Sequence, residues 1–178
     1  DLHQIARSLA VFSAFTEGVC LYASFAILMN FSRFGKLLAV SDLIAYSIRD
    51  ESMHSEAGCQ LFRTLIDENP EIWTRDLRKQ IYQAAEDVVN LEVEFVQRVF
   101  EHGEIEGLSV EGLIKYIKHR CNVKLGDLGL NPLYEGVEKH GFEWVDIVAG
   151  GNNHSDFFTR RVTDYSKGVG EFSDDDLF

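Results

Sequence analysis

The chain has 178 residues, 46% apolar and 26% charged, a composition that suits one soluble domain with a substantial core. A formal net charge of -12 excludes a general nucleic-acid surface and leaves a basic protein patch or a small anion as partner. The longest apolar run, Val19 to Phe31, is too short and too interrupted by Ser24 and Asn30 to span a bilayer, so no membrane role is expected. The cysteines Cys20, Cys59 and Cys121 neither pair evenly nor show zinc spacing, and no signal peptide is visible; a reduced, cytoplasmic setting is expected.

The chain starts at Asp1 rather than Met and is helical in pattern almost at once, as expected of a cut through a larger fold. Residues 3 to about 32 read as one long helix. Ile5, Leu9, Phe12, Phe15, Val19, Tyr22, Ala26 and Met29 recur at steps of three and four. The remaining positions are also largely apolar, so this helix is expected to be buried nearly all round. Gly35 is placed to end it. A second helix starts near Leu37 or after Ser41, whose hydroxyl could cap it, and runs to about Ile66. After a turn at Asp67 to Pro70, a third helix runs from Glu71 to about Phe100. Its apolar face is read as Ile81, Ala85, Val88, Leu91, Phe95 and Val99. His102 to Gly107 breaks it. Ser109 caps a fourth helix running to about Leu125. Beyond Gly126 periodicity fades until a short packed segment with Trp144, Val145, Ile147 and Val148. From Thr163 the text is polar and acidic and is expected to be a mobile tail. With only two prolines in the chain and no β-alternation, the fold class is all-α, an antiparallel bundle with the fourth helix and its followers outside.

The second helix carries "IRDESMHSEAG". Glu51 and His54 are three positions apart, so they share a face and could reach one metal ion. An exposed Glu-x-x-His pair on a charged helix is common, so this alone decides little. Glu17 adds weight. It is the only charged side chain between Arg7 and Arg33, amid Phe12, Phe15, Val19, Cys20, Leu21 and Phe25. A carboxylate there costs several kcal/mol unless it meets a metal or a cation such as Arg49 or Lys36. A lone glutamate on one helix with Glu-x-x-His on its neighbour is half of a ferritin-like di-metal carboxylate site. No second Glu-x-x-His exists: Glu138 and His140 are two apart, and Glu101 and His102 adjacent.

"SAFTEGVCLYASFA" followed by "IAYSIRDESMHSEAG" resembles the ligand-bearing helix pair of the small, radical-generating subunit of class I ribonucleotide reductase. The resemblance covers nearly the whole chain and corresponds to the C-terminal half of that subunit. It implies a partial ferritin-like bundle over residues 1–162 and a docking tail over 163–178. By position it implies Glu17, Glu51 and His54 as metal ligands, Asp50 as the acid behind them, and Leu21 and Phe25 as apolar lining. The implied cofactor is a dinuclear metal centre, Fe/Fe, with Mn/Fe or Mn/Mn as alternatives. Tyr165 resembles the interfacial tyrosine that relays the radical between subunits. Leu177 and Phe178, behind Asp174 to Asp176, resemble the terminal anchors that dock on the large subunit. The implied partners are the complementary N-terminal half, a second copy of the small subunit, and the large catalytic subunit. Two rivals remain at this point: a metal-free helical interaction protein, and a di-iron oxidase without long-range radical transfer.

Overall fold

A computed structural model describes residues 1–150, and every regular element in them is a helix. The expected tail with Tyr165, and the boundary at 162/163, lie outside the described residues.

The first run is not one helix. α1 (Leu2–Ala10) passes into a π-helical turn (Val11–Thr16), then an irregular link over 17–21, before α2 (Tyr22–Asn30). The Glu17 N–H donates to the Phe12 carbonyl at 3.1 Å and the Cys20 N–H to the Phe15 carbonyl at 3.0 Å, both five residues back. Widened turns of this kind collect at functional sites. Nor is the run buried all round. α2 is buried on nearly every side, but Phe12 is 57% exposed, and Ile5, Leu21 and Leu28 are exposed with it. The apolar surplus read from the sequence therefore forms an open face rather than a sheathed core.

A 3-10 turn (Phe31–Phe34) closes the run on Gly35, whose φ of 71° is the left-handed cap expected there. α3 (Leu38–Glu68) follows. Ser41 lies inside α3 and donates to the Ser32 hydroxyl at 3.0 Å instead of capping. α4 (Arg75–Phe100) begins four residues later than expected. Its cap is Thr74, which accepts from the Leu77 N–H at 3.1 Å, and Pro70–Ile72 before it is a separate 3-10 turn. α5 (Val110–Asp127) is capped by Ser109 as read, with the Gly112 N–H at 3.1 Å. α6 (Glu143–Gly150) covers the segment expected to be packed, with Val145 buried and Trp144 half-buried, but Ile147 is 71% exposed. The buried stripe of α4 is Leu77, Ile81, Ala85, Val89, Glu92 and Val96, turned from the expected one; Leu91 is 63% exposed. Among the described residues no helix is long and apolar enough to cross a membrane.

The first run lies at the centre, touched by α3, α4 and α5, while α6 packs on α3. It runs antiparallel to α3, and glycines set how closely the two approach. A Cβ on Gly58 would lie 2.0 Å from the Ser13 Oγ. One on Gly18 would lie 2.8 Å from the Ser55 Oγ and 2.7 Å from the Lys124 Cδ. Farther along, the Tyr22 hydroxyl meets the Ser52 Oγ at 2.7 Å. These contacts fix the register that faces Glu17 toward the middle of α3.

Gly58→Ala tests that spacing. Alanine favours an exposed helix by about 1 kcal/mol, but here the methyl has no room, and overpacking of this kind costs about 1–3 kcal/mol. We expect net destabilisation in urea melts, with most of the loss restored in the double variant Ser13→Gly, Gly58→Ala.

Candidate metal centre

Glu17 closes the π-helical turn, at φ -86° and ψ -27°, where the helical register is shifted. Glu51 and His54 sit one turn apart in the interior of α3. One ligand atom from each of these three residues lies within 4.8 Å of the others. Donors on one first-row ion at about 2.0–2.2 Å are about 3–3.5 Å apart, so modest side-chain rotation brings the set onto an ion. Two carboxylates with one imidazole suit iron or manganese. Glu17 and Glu51 are half-buried, and His54 is exposed. The donors thus stand at the edge of the open apolar face. By helical spacing His54 shares its side of α3 with exposed Leu43, Asp50 and Leu61.

The cations weighed as partners for Glu17 go elsewhere. Lys36 pairs with Glu106 at 3.8 Å, and the Arg49 guanidinium lies 5.5 Å from the Tyr46 ring centre. Among the described residues Glu17 has no ion pair within 4.0 Å. Asp50 is exposed and hydrogen-bonds to neither Glu51 nor His54. Of the two residues expected as apolar lining, Phe25 is buried and Leu21 is 40% exposed.

A second donor group, His119, His140 and Asp146, also falls within 4.8 Å. Its hydrogen bonds argue against a metal. The His140 Nδ1 accepts from the Phe142 N–H at 3.1 Å, so a neutral ring carries its proton on Nε2, which faces the Asp146 Oδ2 at 3.4 Å. The His140 ring then has no lone pair left for an ion. Asp146 also accepts from the Tyr116 hydroxyl at 3.3 Å and lies 3.9 Å from the Arg120 Nη1. Burial, with His140 beside it, pushes the His119 imidazole below its ordinary range. This corner is a polar clasp between α5 and α6.

Sequence reasoning missed Glu92, although its signal was present: a carboxylate within the apolar stripe of α4. The side chain is buried, and its Oε2 has no hydrogen-bond partner among the described residues. Burial raises its carboxyl from 4.5 to about 7. Burial also pushes the three thiols up, Cys20 and Cys59 to about 11 and Cys121 to about 12.

The Glu92 shift has a defined sign. Below about pH 4.5 the group is protonated in both folded and unfolded chains. Between there and about 7 only the folded chain keeps the proton, so stability falls as pH rises through that window and levels off above it. Glu92→Gln holds the side chain neutral throughout. Urea melts across the window should show a shallower decline for the variant than for the parent.

The family described as "Ribonucleotide reductase, small chain" matches residues 1–140. A protein of Invertebrate iridescent virus 3 named "Probable ribonucleoside-diphosphate reductase small subunit 048L" is 36% identical, over 93% of this chain and 44% of its own length. The ribonucleoside-diphosphate reductase subunit beta of Chlamydia pneumoniae is 31% identical, over 92% of this chain and 46% of its own. The solved ribonucleotide reductase R2 subunit from Clostridium botulinum superposes with a TM-score of 0.73 at 32% identity, covering 79% of this chain and 44% of that one. The chain spans about half the length of the curated relatives it matches. The all-α, ferritin-like reading of the fold stands on that superposition and on the helices themselves. With the match running from the first residue through α5 and the loop beyond it, this chain belongs to the ribonucleotide reductase small-chain family.

Proposed function

We propose that the chain supplies one half of a dinuclear metal centre, Glu17, Glu51 and His54, to the small subunit of a ribonucleoside-diphosphate reductase. The observation that carries this is the convergence of three donors from two helices in a chain of that family. When bound, such a metal pair supplies one-electron oxidising chemistry. The chain's own residues bind and orient it: Glu17 from the widened turn, Glu51 and His54 from α3, with Phe25 keeping water from one side. Iron at both positions is the reading preferred here, with Mn/Fe and Mn/Mn as the alternatives the donor set also accepts. Asp50 is assigned as the acid that would orient a neighbouring ligand once the site is complete.

Three protein donors are too few for two ions. The remaining donors must come from helices other than those described, and exposed Phe12, Leu21, Met53 and Leu61 are where such helices would pack. We assign that role to the complementary N-terminal half, whether joined to this chain or separate. A second copy of the small subunit and the large catalytic subunit complete the proposed assembly, in the cytoplasm. Tyr165 would relay the oxidising equivalent to the large subunit, and Leu177 and Phe178 would anchor the tail there. Ribonucleotides would be reduced on the large subunit, not here.

Two variants test this reading. His54→Ala should lower bound metal about tenfold or more, measured by elemental analysis of the purified assembly, with helicity by circular dichroism unchanged. Tyr165→Phe keeps the ring but removes the phenolic O–H needed for proton-coupled oxidation. It should leave metal content and large-subunit binding near normal and abolish nucleotide reduction; wild-type turnover in that variant would remove Tyr165 from the route.

A further inference from the structure

We infer that Arg120 is a positioning residue for Glu17: it holds the irregular link after the metal-ligand turn by capturing the Gly18 carbonyl that the irregularity frees. The inference rests on the proposed metal site for its consequence, though not for its geometry.

In a regular helix the Tyr22 N–H would donate to the Gly18 carbonyl. Here it donates to the Val19 carbonyl at 3.1 Å, and the Gly18 oxygen loses its helical partner. The Arg120 Nη2 takes that oxygen at 3.1 Å, from a side chain that is itself buried. A buried orphan carbonyl would otherwise press the backbone back to the regular bond. That change would undo the shifted register that places Glu17 opposite Glu51 and His54.

The guanidinium does more than fill a vacancy in the hydrogen-bond pattern. It lies 3.7 Å from the centre of the Tyr22 ring, and the Tyr22 hydroxyl reaches Ser52, the residue after Glu51, at 2.7 Å. Arg120 therefore braces both ligand-bearing helices. On its other side it faces Asp146 at 3.9 Å, in the clasp formed with Tyr116 and His140. The arrangement is costly: a charge is buried, and the Arg120 Nε is without a hydrogen bond among the described residues. An aliphatic residue would fill the same space without that cost but could not hold the Gly18 carbonyl.

The test uses the full chain in the assembly in which it purifies, with Mn2+ as probe. Arg120→Met keeps the bulk and removes the donors; Arg120→Lys keeps a cation and one donor within reach. Two readouts are compared: Mn2+ affinity by electron paramagnetic resonance, and amide exchange of residues 17–22 by mass spectrometry. For Arg120→Met we expect exchange in that segment to quicken about tenfold and Mn2+ to bind about tenfold more weakly, the usual scale for losing a residue that orients a ligand. Arg120→Lys should recover most of both. Parental exchange at residues 17–22 in a folded Arg120→Met variant overturns the inference. So does quickened exchange with unchanged Mn2+ affinity, which would make Arg120 a stabiliser only. If both variants loosen the whole chain, as judged by exchange in α4 and α5, the role is general packing and the inference also fails. Glu17→Gln separates the two levels. Should it leave Mn2+ binding intact, the metal-site reading falls, while the exchange arm still decides whether Arg120 holds the link.

Discussion

A carboxylate set in an apolar helix is costly unless it meets a cation, water or a proton, and Glu17 has no side-chain cation within 4.0 Å among the described residues. The backbone departs from a regular helix on both sides of it. The helix widens into a π turn just before Glu17 and loses regularity just after. Gly18 and Gly58 thin both sides of the contact, so the widened turn and α3 approach closely enough for Glu51 and His54 to meet Glu17. Each departure from ideal helix geometry costs stability. They concentrate at one level of the bundle, that of Glu17, Glu51 and His54.

How much of this was legible follows from which signals are local. Gly35, Ser109 and the Glu-x-x-His spacing act within a turn or two, and they ended, capped and aligned the helices as read. The π turn was not legible, because nothing in "AVFSAFTEG" breaks a helix; the widening arises from contacts with α3 and α5 that periodicity does not encode. The apolar face of α4 was read one position off in its later turns, at Leu91 and Phe95, because the chain offered apolar residues on two adjacent stripes. The choice between them was made by what α5 and the central run could cover. Glu92 and Arg120 were visible as charges at core positions, yet their meaning depends on partners distant in sequence. For Arg120 that partner is a backbone carbonyl, which no side-chain pattern reveals.

The candidate donors stand open at the surface of the described residues. The chain aligns with about half of each curated relative. Its donors lie beside Phe12 and Met53, large apolar groups left exposed at 57% and 60%. A site meant to exclude water cannot be finished by residues that themselves face water. On the proposed reading, a helix covering that face would bury the donors with it, and metal retention would follow helix association.

Burial of the three thiols has a consequence for chemistry. Sulfur becomes a strong nucleophile, a soft metal ligand and an easy electron donor chiefly as thiolate. Cys20 sits three residues from Glu17, yet its proton is held by its surroundings well above neutral pH. As a neutral thiol it does not compete with the oxygen donors as a soft thiolate ligand near neutral pH. The sulfur beside Glu17 is for the same reason a poor nucleophile near neutral pH.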